Sequence, residues 1–203
     1  AEGHEVHDGI MGDIIHLPRG EVELQIELLT PSPIERVEIF NGMDLLETHR
    51  PYSPEELGPR VRILWEGAEY RGRFRQVIWD GEASTQENEI IRYQGINFFN
   101  PDKIIEQRTP GSLAWQALTT GNTGGVDIWL KEANKGMLMI DTKIVKCSIP
   151  IAEIDYEDKI FDNSGILPRY LKVYRLPNKN PYRHLHIRRK IKLKGKGDNP
   201  LFV

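Results

Sequence analysis

Cysteine is almost absent from this sequence, whose 203 residues include only Cys147. A single thiol cannot form a disulfide within the chain, and it is too few for a zinc site built from cysteines. The class of disulfide-stabilised secreted scaffolds is therefore excluded. The compartment stays open, with a lean toward the cytoplasm. Cys147 has no acid–base partner near it in the sequence, so we interpret it as a buried thiol and not as a nucleophile.

Long apolar runs and a large net charge are also missing. No stretch approaches the roughly 18 consecutive apolar residues that a membrane-spanning helix needs, so we expect no membrane partner. The formal net charge is -3, and 39% of the residues are hydrophobic. These values are typical of a folded globular protein and not of a disordered chain.

Complete catalytic motifs are absent as well. The sequence has no Gly-x-Ser-x-Gly and no His-Glu-x-x-His. The glycine-rich residues 119–125 lack the Lys-Ser or Lys-Thr of a phosphate-binding loop and precede a predicted strand, so we interpret them as a turn. We predict no catalytic residue and no cofactor, and an enzyme that acts alone is the least favoured alternative.

Short strand signals, in contrast, are abundant. Residues 21–28 alternate acid or amide with aliphatic side chains, which is the period of a strand with one buried face. Residues 34–40 predict another strand, and Asn41-Gly42 predicts a tight hairpin turn before a return strand at 43–48. Further strand candidates lie at 61–65, 74–79, 89–93, 126–130, 137–140 and 171–174. Since no amphipathic segment reaches three helical turns, we predict an all-β fold, a β-sandwich or a barrel-like relative of one.

A metal site is the first candidate site, because His4, His7 and Asp8 lie close together in the sequence. Imidazole and carboxylate groups suit zinc, manganese or iron. The spacing matches no specific metal motif, and Gly9 and Gly12 argue against a helix that would present both histidines. The alternative, which we favour, is an acidic leader whose histidines bind nothing.

A basic strand is the second candidate. Its basic side chains share one parity while aliphatic residues occupy the other: His184, His186, Arg188, Lys190, Lys192 and Lys194. Such a ladder can neutralise phosphates, but interleaved aromatics that stack bases are missing, so nucleic-acid binding is not favoured. The alternatives are a solvated strand face, protected from edge pairing by lysine, or a face that meets a neighbouring acidic domain or the acidic residues 1–50.

The third candidate is a ligand-binding surface at Arg71, Arg73, Arg75 and Trp79, in a segment whose end, 74–79, is predicted as a strand. Alternating arginines beside aromatic rings can hold a carboxylate or phosphate through two hydrogen bonds, or stack on a sugar. This hypothesis predicts an exposed aromatic platform or an open cleft. The alternative, which we favour, is that the arginines form the wet face of a strand and Trp79 anchors the core.

Six longer strings are distinctive: MGD (11–13), PIERVEIFNG (33–42), RILWEGAEYRGR (62–73), WDG (79–81), NFFNP (97–101) and DNPL (198–201). Together they resemble the C-terminal region of a bacterial family known as domain of unknown function 3604. The resemblance spans essentially the whole chain, although the strings name no chemistry.

This resemblance implies a parent protein whose N-terminal part is similar to a polymerase-and-histidinol-phosphatase (PHP) type metal-dependent phosphoesterase. Residues 1–12 would be a linker from that part, 13–60 with 184–203 an immunoglobulin-like sandwich, and 61–183 a β-rich insertion or second sandwich. We interpret the chain as part of this longer protein, because it opens with Ala1 and ends in an apolar run. The expected function is a non-catalytic accessory domain packed on the hydrolase-like domain. The alternative is a module that binds a carbohydrate or an anionic ligand, and the oligomeric state stays open.

Overall fold

The computed structural model describes residues 9–15, 20–162, 167–194 and 198–203, and this part of the chain is built from β-strands. The strands are β1 (Glu21–Leu29), β2 (Val37–Asn41), β3 (Asp44–His49), β4 (Leu57–Gly67), β5 (Val77–Ile78), β6 (Gly81–Gln86), β7 (Ile90–Ile96), β8 (Ile105–Thr109), β9 (Ser112–Trp115), β10 (Leu118–Thr119), β11 (Thr123–Leu130), β12 (Met137–Thr142), β13 (Lys146–Pro150), β14 (Lys159–Asp162), β15 (Arg169–Pro177), β16 (His184–Lys192) and β17 (Leu201–Phe202). Two single turns of 3-10 helix, Pro54–Glu56 and Ile151–Glu153, interrupt them. Within the described ranges no helix is long and apolar enough to cross a membrane. The predicted all-β, sandwich-like class is confirmed.

The strand and the hairpin predicted near the start of the chain both form. β1 exposes its glutamates and buries Ile26. The turn between β2 and β3 comes one residue later than Asn41-Gly42 predicts, because Asn41 still belongs to β2 and pairs with Asp44. Gly42 carries the turn at φ +62°, a left-handed conformation that glycine adopts without a side-chain clash.

The chain divides into two compact units, of which the first is residues 1–51 with 180–203. Its described strands form an antiparallel pair, β1 with β16, and a three-stranded sheet in the order β17-β2-β3. Ile26 of β1 lies opposite Ile187 of β16, and both belong to one core cluster with Ile39 of β2. The aliphatic faces of the two sheets therefore bury each other.

The second unit, residues 52–179, holds two five-stranded sheets in the orders β14-β15-β4-β11-β7 and β13-β12-β6-β9-β8, and a short β5–β10 ribbon. One core cluster draws on both sheets. Trp65 of β4 stacks on Trp115 of β9 with ring centroids 5.0 Å apart, and Phe98 meets Trp65 edge to face at 6.2 Å. The aromatic stack joins the two layers of the sandwich.

The register places the loops after β4 and β7 at one end of this unit. The first residues of β11 pair with Trp65, near the end of β4, and with Ile96, the last residue of β7. Because β11 lies between them and neighbouring strands are about 4.8 Å apart, β4 and β7 end about 10 Å from each other. The β5–β10 ribbon reaches the same end, where Thr119 Oγ1 donates to the carbonyl of Gly67 at 2.8 Å.

Candidate functional site

The basic ladder of β16 faces an acidic ladder on β1. In the antiparallel register Glu21 lies opposite Lys192, Glu23 opposite Lys190 and Glu27 opposite His186. These side chains are exposed on one face of the ribbon, where directly opposite unlike charges attract. The geometry favours the alternative in which the ladder meets the acidic N-terminal part of the chain. The charges of Lys190 and Lys192 are therefore offset by the neighbouring strand, whereas Arg188 lies opposite Gln25. This face has less attraction for phosphates than the sequence of β16 suggests.

Asp127 is a buried charge that the fold itself compensates. This residue of β11 is 1% exposed, and guanidinium nitrogens of Arg60 and Arg62 lie 2.5 and 2.6 Å from its carboxylate oxygens. Both arginines come from β4, which is paired with β11. The carboxylate is therefore neutralised within the sheet and is a poor candidate for a catalytic acid or base.

Arg175 is a second buried charge with a structural role. Its guanidinium group donates to four backbone carbonyls, those of Gly58, Ala133, Ile151 and Ile154, at 2.6 to 3.2 Å. Burial lowers the pKa of Arg175, and the nearby Asp155 opposes that shift. All four acceptors are main-chain groups, so the side chain ties separate segments together and is not positioned for a ligand.

The three arginines predicted to bind a ligand lie on a loop, residues 68–76, which we call the arginine loop. It is closed at its base, because the Glu69 N–H donates to the Arg75 carbonyl at 3.0 Å. The carboxylate of Glu69 also pairs with Arg169 at the start of β15. The side chains of Arg71, Arg73 and Arg75 are exposed, and within the described part of the chain none of them has an ion-pair or hydrogen-bond partner. Three uncompensated cations therefore sit on a loop with an anchored base.

The expected strand at 74–79 is largely wrong, since only Val77 and Ile78 form one. Gly72, at φ +96°, turns the chain inside the segment where the arginines alternate, so their spacing mimics a strand period without forming a strand. The arginines are therefore not the wet face of a strand.

Trp79, the fourth predicted ligand residue, is fully buried. Its Nε1 donates to Thr119 Oγ1 at 2.9 Å, and its carbonyl accepts from Trp115 Nε1 at 2.7 Å. The ring is therefore not an exposed platform, and Trp79 anchors the core below the loop. Ligand binding by the arginines themselves stays a prediction.

Exposed aromatic residues lie at this end of the unit, and Phe99 among them was not expected from the sequence. Tyr70 and Phe74 belong to the arginine loop, and Phe99 belongs to the loop after β7, residues 97–104. Phe74 has φ +61°, a conformation that is uncommon for a bulky side chain and costs about 1–2 kcal/mol. The signal that could have found Phe99 is Phe98-Phe99 directly before the turn residues Asn100-Pro101, because only one of two successive rings can enter the core at a strand end.

An open groove crosses the β13-β12-β6-β9-β8 sheet of the second unit. Two adjoining cavities of about 490 and 410 Å³ share Glu82 and Asp141. Arg108 Nη1 lies 3.2 Å from Glu82, and Lys146 Nζ lies 2.8 Å from Asp141. The two carboxylates that both cavities share are therefore each paired with a cation.

Cys147 lines the edge of this groove and is half-buried. Burial raises the pKa of its thiol to about 11, so at neutral pH the sulfur is protonated and is a weak nucleophile. Cys147 was expected to be buried, but its side chain is only partly so.

The predicted metal ligands His4, His7 and Asp8 lie outside the described residues. Within the described ranges no group of three His, Cys, Asp or Glu side chains is arranged to hold a metal ion. The metal-site hypothesis therefore stays a prediction.

Searches for relatives found no matching family model, no matching curated protein and no matching solved structure. The resemblance to domain of unknown function 3604 accordingly stays a prediction.

Proposed function

We propose that this chain is a non-catalytic accessory β-sandwich of a larger protein that resembles a metal-dependent phosphoesterase, and that it supplies a surface for an anionic ligand. The observation that carries the proposal is the arginine loop, with three exposed guanidinium groups and no partner for them among the described residues. The buried charges at Asp127 and Arg175 are, in contrast, compensated within the fold.

The chemistry of the arginine loop suits oxyanions. A guanidinium group is planar and always charged, and it binds carboxylate, sulfate or phosphate oxygens through two parallel N–H donors. Arg71, Arg73 and Arg75 lie within one short loop, so one ligand with several negative groups can engage more than one of them. The loop's own acid, Glu69, is held by Arg169 and does not compete for them.

Binding to heparin, used as a soluble polyanion, tests the anionic-ligand part. We expect the full chain to bind heparin in a salt-dependent manner, because each neutralised anion releases counterions. A triple variant, Arg71→Gln, Arg73→Gln and Arg75→Gln, should weaken binding at least about tenfold at low salt, since each exposed ionic contact contributes about 0.5–1 kcal/mol.

The matched control removes three cations elsewhere. Lys190→Gln, Lys192→Gln and Lys194→Gln make the same charge change along β16 and just beyond its end. Acids already offset these three cations, since Glu23 and Glu21 of β1 lie opposite Lys190 and Lys192, and Asp44 pairs with Lys194. We expect this control to keep most of the heparin affinity. If the control abolishes binding and the loop variant does not, the anion site is on β16 and the proposal is wrong.

Enzyme assays test the non-catalytic part. A panel of phosphoesters with added Mn²⁺ or Zn²⁺ should show no turnover above that of the metal ion alone. Turnover that disappears in the His4→Ala, His7→Ala double variant would show that the chain holds its own active site.

A further inference from the structure

The end of the second unit that carries the arginine loop also exposes apolar side chains. Phe74 in the arginine loop is 87% exposed, and Phe99 in the loop after β7 is 86% exposed. Ile78 of β5 and Leu118 of β10 are cross-strand partners in the ribbon, and both are exposed. Single exposed apolar residues are ordinary on a protein surface, but several at one end of a sandwich indicate an interaction surface.

The register described above brings these side chains to one end. The arginine loop begins where β4 ends, and the loop with Phe99 begins where β7 ends, about 10 Å away across β11. Phe98 stays in the core against Trp65, so its neighbour Phe99 projects from the rim. The position of Phe99 is thus a consequence of the aromatic packing below it.

The charge at this end is positive. The arginine loop contains three arginines and one acid, Glu69, and that acid is paired with Arg169. Asp102 and Lys103, in the loop after β7, offset each other in charge. Apolar rings and uncompensated guanidinium groups are therefore exposed at the same end of the molecule.

The backbone at Phe74 supports a role for its ring. A phenylalanine at φ +61° occupies a region that bulky residues rarely adopt, and such strain is typically found at functional positions. Because the ring is 87% exposed, packing within the unit does not offset the strain.

We propose that this end of the second unit docks on a lipid bilayer with anionic headgroups. The arginines bind headgroup oxyanions, while Phe74 and Phe99 enter the boundary between headgroups and acyl chains. Peripheral binding of this kind depends on buried apolar area and on attraction to anionic lipids, and it needs no spanning segment. The expectation of no membrane partner was based only on the lack of an apolar run long enough for a spanning helix, so it does not apply to peripheral binding.

The inference rests on the proposed function, because it names the anion that the arginine loop binds. A soluble polyanion satisfies the arginines but leaves both phenylalanines in water. A bilayer interface takes the charged and the apolar groups together, which is why we argue for the lipid surface.

Co-sedimentation of the full chain with vesicles tests the proposal. We expect binding to vesicles of phosphatidylcholine mixed with phosphatidylserine and little binding to phosphatidylcholine alone. One arginine near an anionic membrane surface changes partitioning about fivefold, so the triple Arg→Gln variant of the loop should lose about 100-fold.

The apolar part is tested by Phe74→Asn combined with Phe99→Ser. Asparagine tolerates the left-handed backbone at position 74, so the loop keeps its conformation while the ring is removed. We expect vesicle binding to fall about tenfold or more and heparin binding to stay unchanged. The control is Met43→Ser, which removes an exposed apolar side chain from the first unit and should leave vesicle binding unchanged.

Insertion is measured with Phe74→Trp. The four native tryptophans are buried, so a fifth at position 74 is the one that bilayer contact can quench strongly. We expect a blue shift of its emission with anionic vesicles, and quenching by lipids brominated on their acyl chains.

Three outcomes would overturn the proposal. Heparin binding without vesicle binding would leave the proposed function standing and exclude the lipid surface. A second outcome is vesicle affinity that stays unchanged in the Phe74→Asn, Phe99→Ser variant, with no quenching in Phe74→Trp. It would show that headgroup electrostatics alone drive binding and that no ring enters the bilayer. If the unaltered chain binds neither heparin nor vesicles, the proposed function is refuted as well.

Discussion

Replacing Arg175 with methionine should unfold the second unit at a clearly lower urea concentration. Arg175 is 5% exposed, and it donates to the carbonyls of Gly58, Ala133, Ile151 and Ile154. Methionine fills a similar volume without any donor, so four acceptors lose this partner at once.

The magnitude follows from these four hydrogen bonds. At about 1–1.5 kcal/mol for each lost bond, less about 2 kcal/mol regained from an apolar side chain in the same place, the free energy of unfolding falls by about 3 kcal/mol. Replacing a buried charge with an apolar residue is often neutral when its partner is replaced too. Here the partners are main-chain carbonyls, which remain.

Tryptophan fluorescence is the assay. Trp65, Trp79, Trp115 and Trp129 are the only tryptophans of the sequence, and all four belong to the second unit, so emission reports the unfolding of this unit alone. With a urea dependence of about 2 kcal/mol per M, a loss of 3 kcal/mol lowers the midpoint by about 1.5 M.

Two further variants bracket the result. Arg175→Lys keeps a charge and some donors but not the planar fork, so an intermediate midpoint is expected. Lys131→Met breaks an exposed pair with Glu89 and should change the free energy of unfolding by less than about 0.5 kcal/mol. If Arg175→Met behaves like Lys131→Met, the four hydrogen bonds contribute nothing measurable and the reasoning is refuted.

Three other predictions concern turns, the thiol and the charge ladder. Gly136→Ala should destabilise the second unit by at least about 2 kcal/mol in the same urea titration, because Gly136 has φ +83° and a Cβ there would lie 1.9 Å from the Gln86 carbonyl oxygen; an unchanged midpoint would contradict this close approach. Iodoacetamide should label Cys147 slowly at neutral pH, with a rate that rises as the pH approaches about 11 and rises sharply on unfolding; rapid labelling at neutral pH by mass spectrometry would show an exposed thiolate. Glu23→Lys and Lys190→Glu should each lower stability by about 1 kcal/mol and the double exchange should restore it, because the two residues are opposite each other; additive losses in circular-dichroism melts would exclude this pairing.

The strands of the first unit were accessible from the sequence because their signal is local. Side chains alternate across a strand, so the acid–aliphatic period of β1 and the basic–aliphatic period of β16 each identify a strand with one buried face. The same reasoning failed at Arg71, Arg73 and Arg75, where period 2 occurs in a loop turned by Gly72. An alternating pattern of side chains shows only which of them would share a face if the segment were an extended strand.

The candidate site was predicted in part. Three arginines were selected by their spacing and chemistry, and their exposure agrees with a binding role. Trp79 was selected because it lies near them in the sequence, but its ring is buried in the core, as the favoured alternative predicted. Phe99 was missed because it is distant from the arginine loop in the sequence and comes near only through the order β4-β11-β7.

The sequence by itself determined the strand-rich class, the lack of an apolar run long enough for a spanning helix, and the chemistry available at each position. Tertiary structure alone decided which ladder faces which, and which loops share an end. Glu23 and Lys190 meet because β1 and β16 pair in one register, and a shift of one residue would separate them. Register and strand order depend on packing between segments that are far apart in the chain, and no local pattern contains that information.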